Sequence, residues 1–214
     1  MPVGDYTTLP ALKATLGITT TGYDSDVSAS ITGASRAIDN LCQRRFYVDS
    51  GTAVAQYFDP VNPWHLDLTA DISGTASLVV VTRDDGLNVD TASGLNTWTL
   101  NTDFFLEPLN AQANSQSGGE VWPYTRLRVN PAGSFVFNPY FPRSCKVTAF
   151  WGWPAVPQPI IDATILLGAR LYKMKREAPL GVIALADAAI RIAKSDSNLM
   201  LSVGPYMRRR PVVS

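Results

Sequence analysis

Between Phe150 and Arg176 the chain reads FWGWPAVPQPIIDATILLGARLYKMKR, and this stretch limits the possible folds more than any other. Proline is tolerated in the first turn of a helix and excluded from its interior, so the helix must begin near Pro157 to Pro159. Nothing then interrupts it before Pro179. Ile160, Leu167, Leu171 and Met174 fall on one face, and Ile161, Ile165, Ala169 and Tyr172 on the adjoining one, which is the pattern of a buried central helix. Asp162 at its start and Lys173, Lys175 and Arg176 at its end have the sign order that the helix dipole favours. The run CKVTAFWGW before it reads as the end of a strand, with Trp151 and Trp153 flanking Gly152 at the junction. Two large aromatics there are read as locking a β-rich part to a helical one, rather than as a platform for a sugar or base.

Two helices precede this one. Thr8 to Leu16 has an N-cap threonine, Pro10 in the first turn, Leu9, Leu12 and Leu16 on one face, and Gly17 as a stop. Asp24 is expected to cap a longer helix in which Val27, Ile31, Ala34, Ile38 and Leu41 recur at steps of four and three, ending in Arg44 and Arg45. From Phe46 to Trp151 the helical period gives way to short runs rich in Val, Thr, Tyr and Phe, separated by Gly, Asn, Asp and Pro. Candidate strands are 53–58, 65–68, 77–83, 97–100, 104–107, 125–129, 133–137 and 146–150. Asp85-Gly86 has the composition of a hairpin turn. The polar, glycine-rich run 110–120 reads as a mobile loop. After the central helix, 188–193 alternates as a strand would, and a helix over 182–193 fits nearly as well. Asp196 is placed to cap a last short helix through Leu199, Met200 and Val203, broken by Gly204-Pro205 and followed by a basic tail.

The expected fold class is therefore α+β. A small three-helix core (1–46 and 152–178) carries an antiparallel β-rich insertion of about a hundred residues (47–151), and 179–214 forms an extended C-terminal segment that must pack on something.

Charged residues make up 17 % of the chain and apolar ones 46 %, a balance that belongs to a folded globular protein. The formal net charge is zero, yet residues 170–214 hold nine Lys/Arg against three acids, a net of +6, so residues 1–169 carry −6. A chain polarised in this way is suited to meeting an acidic partner, or another copy of itself. Cys42 and Cys145 are far apart, lack a C-x-x-C spacing and read as buried free thiols. The N-terminal residues show no signal-peptide pattern and no window reaches the apolar length of a membrane span, so a protein made in a cytoplasm is expected, with no membrane partner.

Catalytic chemistry has little support. His65 is the only histidine, and with Asp67 beside it no nucleophile elbow or H-E-x-x-H spacing appears. There is no P-loop and no G-x-G-x-x-G, so no cofactor is expected. Asp84, Asp85, Asn88 and Asp90 lack the order of a calcium loop and read as a solvated tip, leaving no metal site. Arg208, Arg209 and Arg210 read as a partner-binding tail more than as a DNA-binding element. Two competing readings have distinct tests: a carbohydrate- or receptor-binding β-module using Trp64, Trp98 and Trp122, and a hydrolase centred on His65.

Five stretches in order, YTTLPALKATLGI (6–18), ASRAIDNLCQRRFY (34–47), LNTDFFLEPLNA (100–111), GWPAVPQPIIDATILLGARLYKMKREAPLG (152–181) and SDSNLMLSVGPYMRR (195–209), resemble the head-tail connector (adaptor, head completion) proteins of tailed bacteriophages. None of these stretches is a catalytic signature; it is their order that carries the resemblance. The resemblance implies a helical core with a β-rich insertion, a dodecameric ring in the neck of the virion, DNA passing non-specifically through its lumen, the portal protein on one side and a stopper or tail protein on the other. It implies no enzymatic activity. Residues 108–142 match nothing in that pattern. The C-terminal end holds the basic surplus and an apolar run, so Ile190, Ile192, Leu199, Met200 and Leu201, together with Tyr206, Arg208, Arg209 and Arg210, are the candidate portal-docking residues.

Overall fold

In a computed structural model of the chain, the described residues are 4–83, 85, 89–90, 94–111, 120–177 and 196–208. They belong to two compact units, one made of Met1–Phe46 and Val156–Ser214, the other of Tyr47–Ala155. The architecture is α+β, with four helices and two antiparallel sheets among the described residues.

The helical unit contains α1 (Leu9–Leu16), α2 (Asp24–Cys42), α3 (Gln158–Glu177) and α4 (Ser197–Val203), the last running into a 3₁₀ turn at Gly204–Tyr206. Local chemistry sets most of the ends. Thr8 Oγ1 accepts from the Ala11 N–H, and Gly17 closes α1 in the left-handed region at φ 68°. At α2 the expected cap is displaced by one residue. Tyr23 is the capping position and makes no side-chain cap, while Asp24 is the first helical residue and its carboxylate is taken by Lys13. Asp24 and Asp26 still place negative charge against the positive end of the helix. Arg44 and Arg45 lie beyond Gln43, which ends α2 in the left-handed region, so they do not complement its last turn.

On α3, Pro159 sits in the first turn, and Ile160, Leu167 and Leu171 are fully buried, whereas Met174 is only half-buried. Asp162 falls just past the first turn and accepts from Gln158 Nε2 at 2.8 Å. The helix packs against α1, α2 and α4. The approach of α1 is close at Gly168, where a Cβ would stand 3.1 Å from Leu12 Cδ2. Leu12, Val27, Ile31 and Tyr172 form one apolar cluster in the unit.

In the β-rich unit, β1 (Val54–Phe58), β3 (Val79–Thr82), β4 (Asn96–Trp98) and β7 (Cys145–Ala149) make a four-stranded sheet in the order β1-β7-β3-β4. A second sheet pairs β2 (His65–Ile72), β6 (Tyr124–Val129) and β5 (Phe104–Glu107) in that order. Period two decides which side chains enter the core. Leu66, Leu127 and Leu106 are aligned across the three-stranded sheet and buried, while the next row out is Asp67, Arg126 and Glu107. That outer row alternates in charge, with Arg126 Nε 2.5 Å from Asp67 Oδ1 and Nη1 3.7 Å from Glu107 Oε2, so opposed charges hold the register the leucines demand. Phe58, Val80, Val147 and Ala149 of the other sheet join the leucines in one core with Trp98, Phe104 and Phe137.

Two expectations for this unit are corrected. Residues 133–137 form no strand. Gly133 closes a turn onto Asn130, in a place so tight that a Cβ would lie 2.8 Å from Asp103 Cα. The apolar alternation after it arises instead from Phe135 and Phe137 stacking on Trp98, at 5.8 and 4.6 Å between ring centroids. The second correction concerns the proposed turn at Asp85-Gly86. Thr82 pairs with Asn96 as the last described pair, so residues 83–95 connect β3 to β4 and Asp85-Gly86 alone does not close this pair of strands. Gly86 itself lies outside the described residues, as do most of the expected loop (112–119), the segment with open helix or strand character (178–195) and the end of the tail (209–214). The base of the 110–120 run is fixed by a bond from the Trp122 N–H to the Ala111 carbonyl, 2.9 Å.

Candidate docking surface

The described part of the C-terminal segment is folded onto the helical unit. Asp196 caps α4 by accepting from the N–H groups of Asn198 and Leu199, and the same carboxylate is bonded to Arg170 on α3. Burial raises the pKa of this carboxyl, but the Leu199 N–H, the Arg170 guanidinium and the Asn198 N–H outweigh it and hold the group below the usual carboxylate range. Leu199 and Val203 are buried, Tyr206 is buried with its ring edge against Phe46 at 6.0 Å, and the Arg208 N–H reaches the Cys42 carbonyl at 2.8 Å.

The expected docking residues therefore separate. Leu199 and Tyr206 face inward and serve the core. Leu201 is 77 % exposed, and Met200 and Arg208 are half-buried. Ile190, Ile192, Arg209 and Arg210 lie outside the described residues. The sequence argument found the helix and its cap but could not tell its two faces apart, because Leu199 and Leu201 are chemically the same.

The junction residues are both buried, and both act within the β-rich unit. Trp151 Nε1 donates to the Val54 carbonyl at 2.7 Å, and Trp153 Nε1 to Asp71 Oδ2 at 3.0 Å, with Trp122 packed on Trp153 at 5.0 Å. Gly152 between them has φ 111°, and a Cβ there would meet the Tyr47 carbonyl oxygen at 1.9 Å. Residues 47–49 and 151–153 thus run together at close backbone approach, joined by bonds from Asp49 N–H to Trp151 O at 2.8 Å and from Trp153 N–H to Tyr47 O at 3.3 Å.

The remaining candidates that are described are mostly paired or buried. His65 is half-buried on the outer face of β2, its Nε2 3.8 Å from Asp67 Oδ2. Asp85 pairs with Arg83. Asp90 accepts from the Tyr57 hydroxyl and is flanked by Lys146 and Arg143, contacts that hold its carboxyl below the usual range despite some desolvation. Asp84 and Asn88 lie outside the described residues. No group of three or more His, Cys, Asp or Glu among the described residues is arranged to hold a metal. Cys42 and Cys145 are free and buried; burial first, then Asp39, pushes the Cys42 thiol up to about 12, and burial raises Cys145 too. Of the three tryptophans proposed for a ligand-binding face, Trp98 is buried between two phenylalanines and donates to Thr82, and Trp122 packs on Trp153. Only Trp64, 55 % exposed, is open to a partner. No described helix is long and apolar enough to cross a membrane.

One surface was not legible beforehand. Loops 59–64 and 135–143 are laced together by bonds from Phe137 N–H to Pro63 O and from Arg143 N–H to Asp59. Between them they present Val61 and Tyr140, 89 % and 86 % exposed, together with Trp64 and Val136. The aromatic signal was present in Trp64 and Tyr140, but that their two loops meet is a tertiary fact.

No protein-family model matches the chain, and no curated protein does. Among solved structures, a chain from the neck of an empty GTA particle, computed with C6 symmetry, is similar at a TM-score of 0.55 and 13 % identity, over 100 % of this chain and 95 % of that one. At that identity the likeness is one of fold. It takes in both the helical and the β-rich unit.

Proposed function

We propose that this protein is a structural component of the neck of a phage-like particle: a head-tail connector that forms a ring, attaches to the portal and lets DNA pass through its lumen. The observation that carries this reading is the end-to-end correspondence of fold with a chain from a particle neck, both units included. The ordered sequence stretches that resemble tailed-phage connectors support it independently. The described side chains are consistent with it: His65, Asp85 and Asp90 are paired and both cysteines are buried, so the role proposed is one of assembly and not of catalysis. A lumen for moving DNA does not need a strongly basic wall, since tight phosphate neutralisation would oppose passage.

The portal contact is assigned to the C-terminal end, with Leu201, Met200 and Arg208 as its described part. Leu199 and Tyr206 belong beneath that surface. Mixing the purified protein with its portal and measuring the mass of the product should give a complex carrying multiple copies. A protein that stays monomeric and unattached in the presence of the portal contradicts the reading. Leu201→Asp should weaken attachment by roughly tenfold or more while leaving the melting temperature near that of the parent, because the side chain it replaces is open to solvent.

A further inference from the structure

We infer that the aromatic loop surface of the β-rich unit docks on the exposed stripe of α3 in a second copy of this chain, and that this heterologous contact closes the ring. The inference rests on the ring reading above. Its first element is the patch formed by Val61, Trp64, Val136 and Tyr140, large apolar side chains held outward by an ordered lacing of two loops. The lacing matters because a preformed surface loses little conformational freedom on binding. Phe135 and Phe137, anchored on Trp98, fix Val136 between them on the solvent side.

The second element is on the helical unit. Leu166 is a 38 % exposed leucine on a helix whose other large apolar residues are mostly buried, and Asp162, Arg170 and Lys173 lie on the same face at helical spacing. A leucine beside an exposed lysine fits a patch of two aromatic rings and two valines, with Lys173 within the stripe to meet a ring face while Arg170 stays with Asp196.

Charge identifies the occupant as another copy. The helical unit holds thirteen Lys/Arg against eight Asp/Glu, a net of +5, and the β-rich unit five against ten, a net of −5. Contact between unlike units of neighbouring copies is therefore attractive, and contact between like units repulsive. Such a contact is head-to-tail, and repetition of a head-to-tail contact gives a closed ring when the rotation allows.

The test uses two variants of the full chain, each confirmed to melt like the parent. In one, Val61→Asp and Tyr140→Asp disable the loop surface; in the other, Leu166→Glu and Lys173→Glu disable the stripe. The mass of each is measured with the portal present, alone and in an equimolar mixture of the two. Each variant alone should lose the ring. In the mixture, copies should be joined to one another in pairs and no further, whatever number the portal itself holds through the C-terminal surface, because each pair has one intact contact and two disabled ends. Raised salt should weaken the parent ring. If both variants form rings like the parent, the surfaces are wrongly assigned although the connector reading stands. If the parent itself forms no assembly with the portal, that reading falls and the inference falls with it.

Discussion

Gly152 admits no other residue. Its φ of 111° is one that L side chains rarely adopt, and a Cβ would be driven to 1.9 Å from the Tyr47 carbonyl oxygen. Gly152→Ala should cost on the order of 3–4 kcal/mol of stability, read as a lower urea midpoint. An unchanged midpoint would mean that the strands joined there are not held as described. Asp196 makes a prediction of a different kind. Its folded pKa is below its unfolded one, so the stability it supplies is present above the ordinary value of 3.8 and is lost as pH falls through the folded pKa. Asp196→Ala should therefore be less stable than the parent at neutral pH, and the gap should close in acid below the ordinary carboxyl range. A gap that stays constant with pH would show that neither the cap nor the Arg170 pairing matters. Both residues have local sequence signals, a glycine between two tryptophans and an aspartate before an apolar run. What each touches is tertiary, and no sequence pattern carries it.

At the level of elements, α3 was legible almost in full because its information is local: prolines at one end, a 3.6-residue apolar period and basic residues at the other. The same holds for α1, between a capping threonine and a left-handed glycine. The β-rich unit was legible in kind, but 133–137 shows why its detail was not. Phe135, Val136 and Phe137 alternate as a strand would, yet the alternation comes from two rings stacking on Trp98. The C-terminal helix is the most consequential case. Read as a free arm, 196–214 would be removable; as folded, its Leu199, Val203 and Tyr206 are part of the core of the helical unit. Deleting 196–214 should thus unfold or strongly destabilise that unit instead of merely abolishing attachment. Leu199→Ala alone should cost about 2–4 kcal/mol. Leu167→Asp, at a fully buried position on α3, should cost more, since it places an unpaired carboxylate in the core. Normal melting of either point variant would show that the packing of these helices is not what stabilises the unit.

For the whole molecule, zero net charge conceals two units of opposite sign, +5 and −5. A monomer gains little from such a division, but an assembly of copies gains register and orientation from it. The fold likeness spans both units, so the account concerns the entire chain and not one module carried on another. Its central claim is that the chain is part of a particle neck. Imaging intact particles in which this chain bears a visible tag inserted in the exposed turn at Gly51-Thr52, away from both proposed contact surfaces, tests that claim most directly. The account predicts density for the tag repeated around the axis between head and tail. Tag density elsewhere in the particle, or purified particles free of the chain, would contradict it.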